Sequence, residues 1–516
     1  MRNYKVCILA AGLGSRSFNP DINKALLPLS NKAIISHIID NFDIQQKFVI
    51  ALGYNADHVK EYLIHAHPKN KFEFVIIDKY FGLGSGPGYS LLQCKGKLQC
   101  PFVLTTADTI VLEKIPAPSE NWIAVSPIKE TINYCTVKTE SEFVTRIDDK
   151  TVNDNKLAWV GLASIKDYKV FFKNLEENQN KIKNEIQISN GLNGLIEKKI
   201  KTIHFTWYDT GSLENYIMTL EAFDIKKFDF SKPNEFFYIK DNKIIKFFLK
   251  PKKVELLTAR REKLKNLTPS RMLFTKNFLS YEKFKGEVLY DNLNNKTINK
   301  LLLFLKTKLW KVNFNKDDKK FKNNCLNFYK HKTTERVKQF QTKFNLKDKP
   351  YIINDQEVES LSYYLDKINW NKLSEGVPVN FHGDLQFDNI IYNQKNKIFK
   401  LIDWRSDFNN QTLYGDLYYD LSKLYGGCIL PYNQIKNNNF TFVTDKNEIF
   451  FDFGSNNSVN EAKQEFTNFL IKNKYDIKKI EIITSLIYLN MSPLHSEPFS
   501  HLLYFFGTLR LSKILK

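Results

Sequence analysis

The alternation of apolar and amphipathic segments over residues 1 to about 220 is the feature that most constrains the fold of this chain. Four short, β-rich apolar runs recur there, "YKVCILAA", "KFVIALGY", "FEFVIIDKY" and "CPFVLTTAD". Between the first two runs, "NKAIISHIIDNF" carries Ile34, Ile35, Ile38 and Ile39 at helical spacing. Strands that alternate with helices predict a wound α/β sheet.

The remainder of the 516-residue chain is too long to share one hydrophobic core with this segment. The stretch "DIKKFDFSKPNEF" contains a proline and several charges and has no clear period, which is typical of a domain boundary. We therefore predict a first domain over 1–223, a linker over 224–235 and a second domain over 236–516. The second domain begins with "EFFYIKDNKIIKFF", which predicts a β-hairpin turning at "KDNK", and continues rich in helices and aromatic residues.

The net charge and the placement of the cysteines limit which binding partners and which disulfide or metal sites the sequence predicts. The net charge of +20 comes from lysines spread thinly through the chain, so it predicts no nucleic-acid partner and favours phosphorylated small molecules as the anions. The six cysteines are scattered without a CxxC pair, which indicates neither a disulfide framework nor a metal knuckle. With no leader pattern and no long apolar run, we expect a cytoplasmic protein without a membrane span. The oligomeric state stays open.

The segment 381–405, "FHGDLQFDNIIYNQKNKIFKLIDWR", combines the groups that phosphoryl transfer needs. Asp384 on a loop would face the attacking hydroxyl, whereas Asn389 and Asp403 would converge on Mg²⁺ across a hairpin of "NIIYN" and "KIFKLIDW". His382 would brace the loop by hydrogen bonding. The alternative is that the two aspartates are turn residues and that Asn389 caps the end of a strand.

This spacing resembles the choline and aminoglycoside kinase family, whose pattern is HGDxxxxN followed by (I/L)D(W/F). The resemblance implies an α+β, bilobal, protein-kinase-like domain that uses ATP, and it extends to "GDLYYDLSKL", where Asp420 would support the catalytic loop. It also implies that Lys246 in "KIIKFF" grips the nucleotide phosphates and that "NFLSYEKFKGEVLY" leads into the hinge between lobes. For the helical carboxylate that pairs with the lysine, we choose Glu262 over Glu255.

The N-terminal run "ILAAGLGSRSFNPDINKALLPLSNKAII" presents a second phosphate-binding pattern. Gly12 and Gly14 allow backbone N–H groups to approach a triphosphate, and Arg16 and Lys24 would neutralise its charge. A tight turn between a strand and a helix is the alternative interpretation.

The same run resembles the sugar-phosphate nucleotidyltransferase family, whose signature is LAAGxGxR followed by K and P. The resemblance implies a Rossmann-like domain with a mixed, mostly parallel sheet, with Arg16 on the triphosphate and Lys24 on the phosphates. It also implies that Asp108 in "VLTTADTIV" and Asp209 in "FTWYDTGSLENYIMTLEAF" hold Mg²⁺ between nucleotide and acceptor. As lone residues, both aspartates would equally suit helix N-caps.

Two further segments fall where that family contacts its ligands. "GLGSGPGYSLL" corresponds to the stretch near the base and the acceptor, where Gly86 and Gly88 would let the chain pass close to a ligand or simply form a glycine loop. "EIQISNGL" places Glu185 and Asn190 where relatives bind acceptor hydroxyls.

Together the two resemblances imply a bifunctional enzyme. The second domain would phosphorylate a small alcohol with ATP, and the first would couple the product to CTP, or else UTP, with release of pyrophosphate for capsule or lipopolysaccharide synthesis. One alternative is a choline or ethanolamine kinase fused to a phosphocholine-type cytidylyltransferase. Another is a nucleotide-binding regulatory pseudoenzyme, which the presence of all four key aspartates disfavours.

The residue after "DW" bears on the identity of the alcohol. Choline kinases place a carboxylate there, whereas this chain has Arg405, which favours a sugar, a polyol or an acidic substrate. Asp407 would offset part of that charge. The segment 431–460 is either an insert that covers the substrate or a loop.

Overall fold

The computed structural model describes residues 4–13, 21–178, 181–182, 184–223, 234–312, 318–454 and 457–516. These residues form two compact units. The first comprises Met1–Lys226, Glu235–Leu249 and Thr275–Ser280, and the second is formed chiefly by Lys250–Phe274 and Tyr281–Lys516.

The N-terminal part of the first unit alternates strands and helices as expected from the sequence. Its strands are β1 (Lys5–Ala10), β2 (Pro28–Leu29), β3 (Lys32–Ala33), β4 (Lys47–Leu52), β5 (Lys71–Ile76), β6 (Phe102–Thr106), β7 (Thr109–Val111), β8 (Trp122–Pro127), β9 (Cys135–Glu140), β10 (Phe143–Asp149), β11 (Leu157–Ile165), β12 (Lys181–Ile182), β13 (Glu185–Ile186), β14 (Lys201–His204) and β15 (Trp207–Asp209). Its helices are α1 (Ile34–Ile39), α2 (Ala56–Ala66), α3 (Pro87–Gln93), α4 (Tyr168–Glu177), α5 (Ser189–Asn193) and α6 (Leu213–Phe223).

Nine of these strands form one mixed sheet in the order β5-β4-β1-β6-β11-β8-β14-β10-β9. β5, β4, β1 and β6 are mutually parallel. The sheet is mixed, as expected. Beyond β6 it is less parallel than expected, because β11 runs antiparallel to β6 and β8 and β10 runs antiparallel to β14 and β9, whereas β14 and β8 are parallel. The parallel half still brings the carboxyl ends of β1 and β6 to one edge of the sheet, where polar loops are favoured as ligand sites.

After residue 234 the chain forms the remaining strands and most of the helices. The strands are β16 (Glu235–Lys240), β17 (Lys243–Phe248), β18 (Leu273–Phe274), β19 (Phe278–Glu282), β20 (Glu287–Val288), β21 (Tyr351–Ile353), β22 (Gln356–Val358), β23 (Pro378–Val379), β24 (Ile390–Asn393), β25 (Ile398–Leu401), β26 (Gly415–Asp416), β27 (Thr441–Asp445) and β28 (Glu448–Asp452). The helices are α7 (Pro251–Leu264), α8 (Asn295–Phe304), α9 (Asp318–Leu326), α10 (Lys332–Lys343), α11 (Leu361–Lys367), α12 (Trp370–Leu373), α13 (Leu417–Gly427), α14 (Tyr432–Lys436), α15 (Asn457–Lys472), α16 (Ile477–Met491) and α17 (Phe499–Leu515).

The hairpin of β16 and β17 belongs to the first unit, which differs from the predicted second domain at 236–516. Tyr238, Ile245 and Phe247 are buried in the same apolar cluster as residues of α1, α2 and β4. Tyr238 also donates a hydrogen bond of 2.6 Å to the carbonyl of Leu26. Burial of these apolar side chains, and not their position after the predicted linker, decides to which unit the hairpin belongs.

The second unit contains the local features expected around the "HGD" segment. β24 and β25 pair antiparallel from Ile390↔Leu401 to Asn393↔Ile398, which confirms the predicted hairpin. The segment 431–460 forms α14 and the hairpin of β27 and β28, which joins β21. No helix in the described ranges combines the length and apolarity that crossing a bilayer demands.

Candidate active sites

In the first unit, Asp108 and Asp209 converge on Gly211. β15 pairs with β7 so that Asp209 lies opposite Thr109, the residue after Asp108. A Cβ atom on Gly211 would lie 3.0 Å from Oδ1 of Asp209 and 3.3 Å from Oδ2 of Asp108, so the two carboxylates lie within about 6 Å of each other. The amide of Thr210 donates to the Asp108 carbonyl at 3.0 Å and fixes this arrangement.

The two carboxylates have different electrostatic environments. Burial would raise the pKa of Asp108, but the charge and hydrogen bond of Lys24 lower it overall. Lys24 Nζ forms a salt bridge with Asp108 Oδ2. Burial, and then the negative charge of Asp108, raise the pKa of Asp209, although Asn215 Nδ2 donates to its Oδ2 at 2.5 Å. Adjacent carboxylates with one raised pKa are typical of a place that a cation completes.

Asn23 holds Lys24 against the sheet. Its buried amide donates to the carbonyls of Ala10 at 2.9 Å and Tyr54 at 2.8 Å, and its Oδ1 accepts from the amide of Ala25 at 3.0 Å. These bonds connect the residue before Lys24 to the end of β1 and thereby direct the lysine towards Asp108.

Of the predicted glycine turn, Gly12 is exposed, with open space around its Cβ position. Gly14 and Arg16 lie outside the described residues. Their expected contacts with a triphosphate stay predictions.

The second glycine loop contacts the chain's own backbone. Gly86 has φ +116°, and a Cβ atom there would lie 2.7 Å from the Ile186 carbonyl. A Cβ on Gly88 would lie 2.7 Å from the carbonyl of Gln187. The close approach that requires glycine is therefore made by β13 and the residue after it, and a ligand contact at Gly86 stays a prediction.

β13 and α5 carry the two residues expected to bind acceptor hydroxyls. Glu185 is half-buried, and its Oε2 accepts a bond of 3.4 Å from Gln187. Asn190 is buried within α5. The neighbouring Ser189 donates to Asp149 at 2.6 Å, so this strand and helix hold several polar groups in one place.

In the second unit, Asp384 lies on a loop that Asp420 holds by its backbone. The carboxylate of Asp420 accepts from the amides of His382 at 2.8 Å and Gly383 at 2.7 Å and from the indole of Trp310 at 3.1 Å. Burial raises the pKa of Asp420 to about 6. Asp420 therefore holds the backbone of the loop that precedes Asp384, and a catalytic use of that loop stays a prediction.

His382 is fully buried between the predicted reactive groups. Its Nδ1 accepts from the amide of Asp384 at 3.3 Å. Burial lowers its pKa to about 4, although Asp384 and Asp403 act in the opposite direction. His382 is thus neutral at physiological pH and braces the loop without contributing charge.

Asn389 and Asp403 meet at the base of the β24–β25 hairpin. Asn389 Nδ2 donates to the Asp384 carbonyl at 2.8 Å, and the amide of Ile402 donates to the Asn389 carbonyl at 2.9 Å. Asp403, the next residue, has φ +60°, which is uncommon outside glycine and is often found at functional positions. The structure therefore brings Asp384, Asn389 and Asp403 to one loop cluster.

Helix α7 contributes an arginine that the sequence analysis missed. Arg260 is 2% exposed and stacks 3.9 Å from the centroid of the Phe381 ring. Its guanidinium donates to the Arg405 carbonyl at 2.8 Å and to the Phe381 carbonyl. Glu262, the residue expected to pair with the strand lysine, is exposed on the same helix.

The strand lysine Lys246 lies on β17 in the first unit, where its ammonium is 5.9 Å from the Phe237 ring centroid. Its contact with nucleotide phosphates and its pairing with Glu262 stay predictions. Arg405 follows the "DW" pair, and its amide donates to the His382 carbonyl at 2.9 Å.

Lys423 on α13 is a second residue that the sequence analysis missed. Its ammonium lies 2.9 Å from Oδ1 of Asp384, and its side chain is only 8% exposed. The spacing would have revealed it, because Lys423 follows Asp420 by three residues in "GDLYYDLSKL" and shares its helical face. No comparable local signal marks Arg260.

The residues present suit Mg²⁺ at both sites. Carboxylate and amide oxygens are its preferred protein ligands, together with substrate phosphates. Asp108 and Asp209 would hold the ion in the first unit, and Asn389 and Asp403 would hold it in the second. Groups of three or more histidine, cysteine or acidic side chains placed to bind a metal do not occur in the part of the chain that the structure describes.

No protein-family model and no curated protein matches the chain. Among solved structures, the chain is similar to the CTP:phosphocholine cytidylyltransferase from Streptococcus pneumoniae, with 17% identity and a TM-score of 0.36 over 43% of this chain and 100% of the other. It is also similar to the inositol-1-phosphate CTP transferase from T. maritima, with 13% identity and a TM-score of 0.34 over 43% of this chain and 97% of the other. Similarity at this level assigns neither a family nor an activity.

Proposed function

We propose that the chain is a bifunctional enzyme that activates a small alcohol in two steps. The second unit transfers phosphate from ATP to the alcohol, and the first unit couples the phosphorylated alcohol to CTP, or else UTP, and releases pyrophosphate. The observation that supports the proposal is that each unit brings oxygen-bearing side chains close to a lysine. These are Asp108 and Asp209 with Lys24 in one unit, and Asp384, Asn389 and Asp403 with Lys423 in the other.

In the phosphotransferase step, the acceptor hydroxyl attacks the γ-phosphorus of ATP. A new oxygen–phosphorus bond forms, the bond from the γ-phosphorus to the bridging oxygen breaks, and ADP leaves. Asp384 orients the hydroxyl and takes its proton. Asp420 holds the loop that carries Asp384, through the amides of His382 and Gly383.

In the nucleotidyltransferase step, a phosphate oxygen of the acceptor attacks the α-phosphorus of the nucleoside triphosphate. The bond between the α-phosphorus and the oxygen that bridges to the β-phosphorus breaks, and pyrophosphate leaves. The attacking phosphate is already ionised, so positioning and charge neutralisation carry the rate. Lys24 contributes fixed positive charge beside Asp108. When bound, Mg²⁺ supplies charge neutralisation of the phosphates at either site.

The product would be a nucleoside-diphosphate-activated headgroup, of the kind consumed in capsule or lipopolysaccharide synthesis. A fusion of choline or ethanolamine kinase with a cytidylyltransferase that makes CDP-choline or CDP-ethanolamine is the second candidate, and Arg405 in the place of a carboxylate disfavours it. A regulatory pseudoenzyme would keep the two folds without turnover.

A ³¹P NMR time course of the full-length protein tests the proposal. With ATP, CTP or UTP and a panel of alcohols, we expect a phosphomonoester signal followed by a nucleoside diphosphate ester. Asp108→Asn should stop the course at the phosphomonoester, and Asp384→Asn should prevent the monoester from forming. If no alcohol gives either signal, the coupled function is wrong.

A further inference from the structure

We propose that the alcohol phosphorylated in the second unit itself carries an anionic group, which is bound by Lys332 and Arg405 above the ring of Phe328. We call these three residues the basic wall. The inference rests on the proposed phosphotransferase function and narrows its substrate class to alcohols that already carry a carboxylate or phosphate.

The two cations of the basic wall lie over one aromatic ring. Lys332 Nζ is 4.2 Å from the centroid of the Phe328 ring, and the guanidinium carbon of Arg405 is 4.9 Å from the same centroid. The two charges are therefore within about 9 Å of each other. Phe328 is 5% exposed and packs against Phe408 and Tyr419, with ring centroids 4.3 Å and 4.9 Å away, so it is a fixed platform.

Backbone structure places the wall beside the reactive loop. Phe328 lies in the π-helical turn Asn327–His331, a rare conformation that is frequent at functional sites, and Lys332 begins α10 immediately after it. Arg405 is fixed from the other side, because its amide donates to the His382 carbonyl at 2.9 Å and its Nε donates to the Asp407 carbonyl at 2.9 Å. The wall therefore approaches the "HGD" loop through its Arg405 end.

The positive charge of the wall is only partly balanced by nearby carboxylates, because among the residues that the structure describes Asp407 alone acts against it. Asp384 is already in contact with Lys423. The carboxylate of Asp407 accepts from the Asn410 amide at 2.9 Å and from the Ser406 hydroxyl at 2.8 Å. Within the described ranges, no carboxylate lies within salt-bridge distance of Lys332.

The lowered pKa of Lys332 agrees with this excess of positive charge. Burial first, and then the positive charges of Arg405, Lys423 and Arg336, lower the pKa of Lys332 to about 6, and only Asp407 acts in the opposite direction. An anion bound between Lys332 and Arg405 would relieve the repulsion, whereas a quaternary ammonium group there would add to it. An arginine and a lysine bind either a carboxylate or a phosphate, so the structure gives the sign of the ligand charge and the experiment below gives its type.

The test measures ADP release by the full-length protein with ATP and alcohols matched in size. Glycerate and gluconate carry a carboxylate, glycerol 3-phosphate and glucose 6-phosphate carry a phosphate, glycerol and glucose are neutral, and choline and ethanolamine are cations. ADP reports the phosphotransferase step alone, because nucleotidyl transfer releases pyrophosphate. We expect kcat/KM to be at least tenfold higher for an anionic alcohol than for its neutral counterpart, and the better of the two anionic sets identifies the group.

Variants of the wall give a second measurement. Lys332→Met should raise the KM for the anionic alcohol about tenfold with little change in kcat, and Lys332→Arg should restore it. Lys330→Met is the matched control, since Lys330 is an exposed residue of the same turn. A rise in the KM for ATP instead of the alcohol would overturn the inference, because the wall would then bind the nucleotide.

A binding measurement does not depend on turnover. We expect glycerate or glycerol 3-phosphate to raise the Tm of the full-length protein, and to raise it less in Lys332→Met. Preference for a neutral or cationic alcohol in the ADP assay, or an equal Tm response in both proteins, would overturn the anionic acceptor but leave the phosphotransferase proposal standing. If anions bind through Lys332 but no alcohol gives ADP release, the phosphotransferase proposal is wrong, whereas anion binding at the basic wall stands.

Discussion

The ammonium of Lys423 lies 2.9 Å from a carboxylate oxygen of Asp384, the residue proposed to take the acceptor's proton. Asp384 is 34% exposed, whereas Lys423 is almost completely buried. Burial would lower the pKa of Lys423, but the charge of Asp384 raises it overall, so the lysine stays protonated. A buried, charged partner thus contacts a carboxylate that is still partly exposed to solvent.

Replacing Lys423 tests this relationship. We expect Lys423→Met to lower kcat for ADP release roughly 10- to 100-fold, because Asp384 loses the partner that orients it. Lys478→Met on α16 is the control, as Lys478 is exposed. An unaltered kcat in a folded Lys423→Met protein would show that the pair does not position the base.

The nucleotidyltransferase step should depend on pH through Asp209. Its pKa is raised by burial and by Asp108, and the hydrogen bond from Asn215 opposes that rise. Asp209 must be ionised to hold a cation, so activity should fall as pH decreases through its raised pKa. In Asn215→Ala the pKa rises further, and the acid limb of pyrophosphate release should move to higher pH. The exposed Asn178→Ala serves as control, and an acid limb that coincides in both variants would contradict the role of Asn215.

Arg260 should contribute to the stability of the second unit. Arg260→Met keeps an apolar side chain near Phe381 but removes the donors to two carbonyls, so we expect unfolding to become easier by about 2–4 kcal/mol. Arg261→Met, the next residue on α7 and only half-buried, should cost little. Chemical denaturation compares the two variants, and equal denaturation midpoints would show that the Arg260 hydrogen bonds to the two carbonyls do not stabilise the second unit.

Binding of an anionic alcohol should weaken as pH rises. Because the pKa of free Lys332 is lowered to about 6, the ammonium is lost above that pH, and anion binding must then take up a proton. We expect the KM for the anionic alcohol to rise between pH 6 and 8, by at most about tenfold per pH unit. Lys332→Arg should flatten this dependence. The charged groups around residue 332 are the same in the wild-type protein and in Lys332→Arg, so their effect on KM cancels in the comparison; they are Arg336, Arg405, Lys423 and Asp407. If KM depends on pH equally in both proteins, Lys332 is not the group that binds the anion.

The sequence predicted the local parts of the two sites well. The hairpin that separates Asn389 from Asp403, and the placement of Asp209 between a strand and a helix, follow from periodicity and turn residues within a few positions. Lys423 lies three residues after Asp420 on the same face of α13, so helical spacing is sufficient to find it from the sequence.

What could not be predicted depends on distant packing. Phe328 and Lys332 precede the "HGD" loop by fifty residues or more, and only the tertiary fold brings them near Arg405. The antiparallel direction of β11 could not be predicted from the sequence either. A run of apolar residues indicates that a strand is buried, but not whether it runs parallel or antiparallel to its neighbours. Membership of the β16–β17 hairpin in the first unit is again a matter of long-range burial.

That hairpin has a consequence for any attempt to divide the chain between its two units or to recombine them. A polypeptide that stops at Phe223 would lack Tyr238, Ile245, Phe247 and Phe278, all of them buried within the core of the first unit. Such an N-terminal half would expose the apolar surface that they cover and tend to aggregate. Gene fission or domain exchange must therefore transfer the hairpin and the segment Thr275–Ser280 with the N-terminal half, so the heritable module is longer than the candidate site motifs alone suggest.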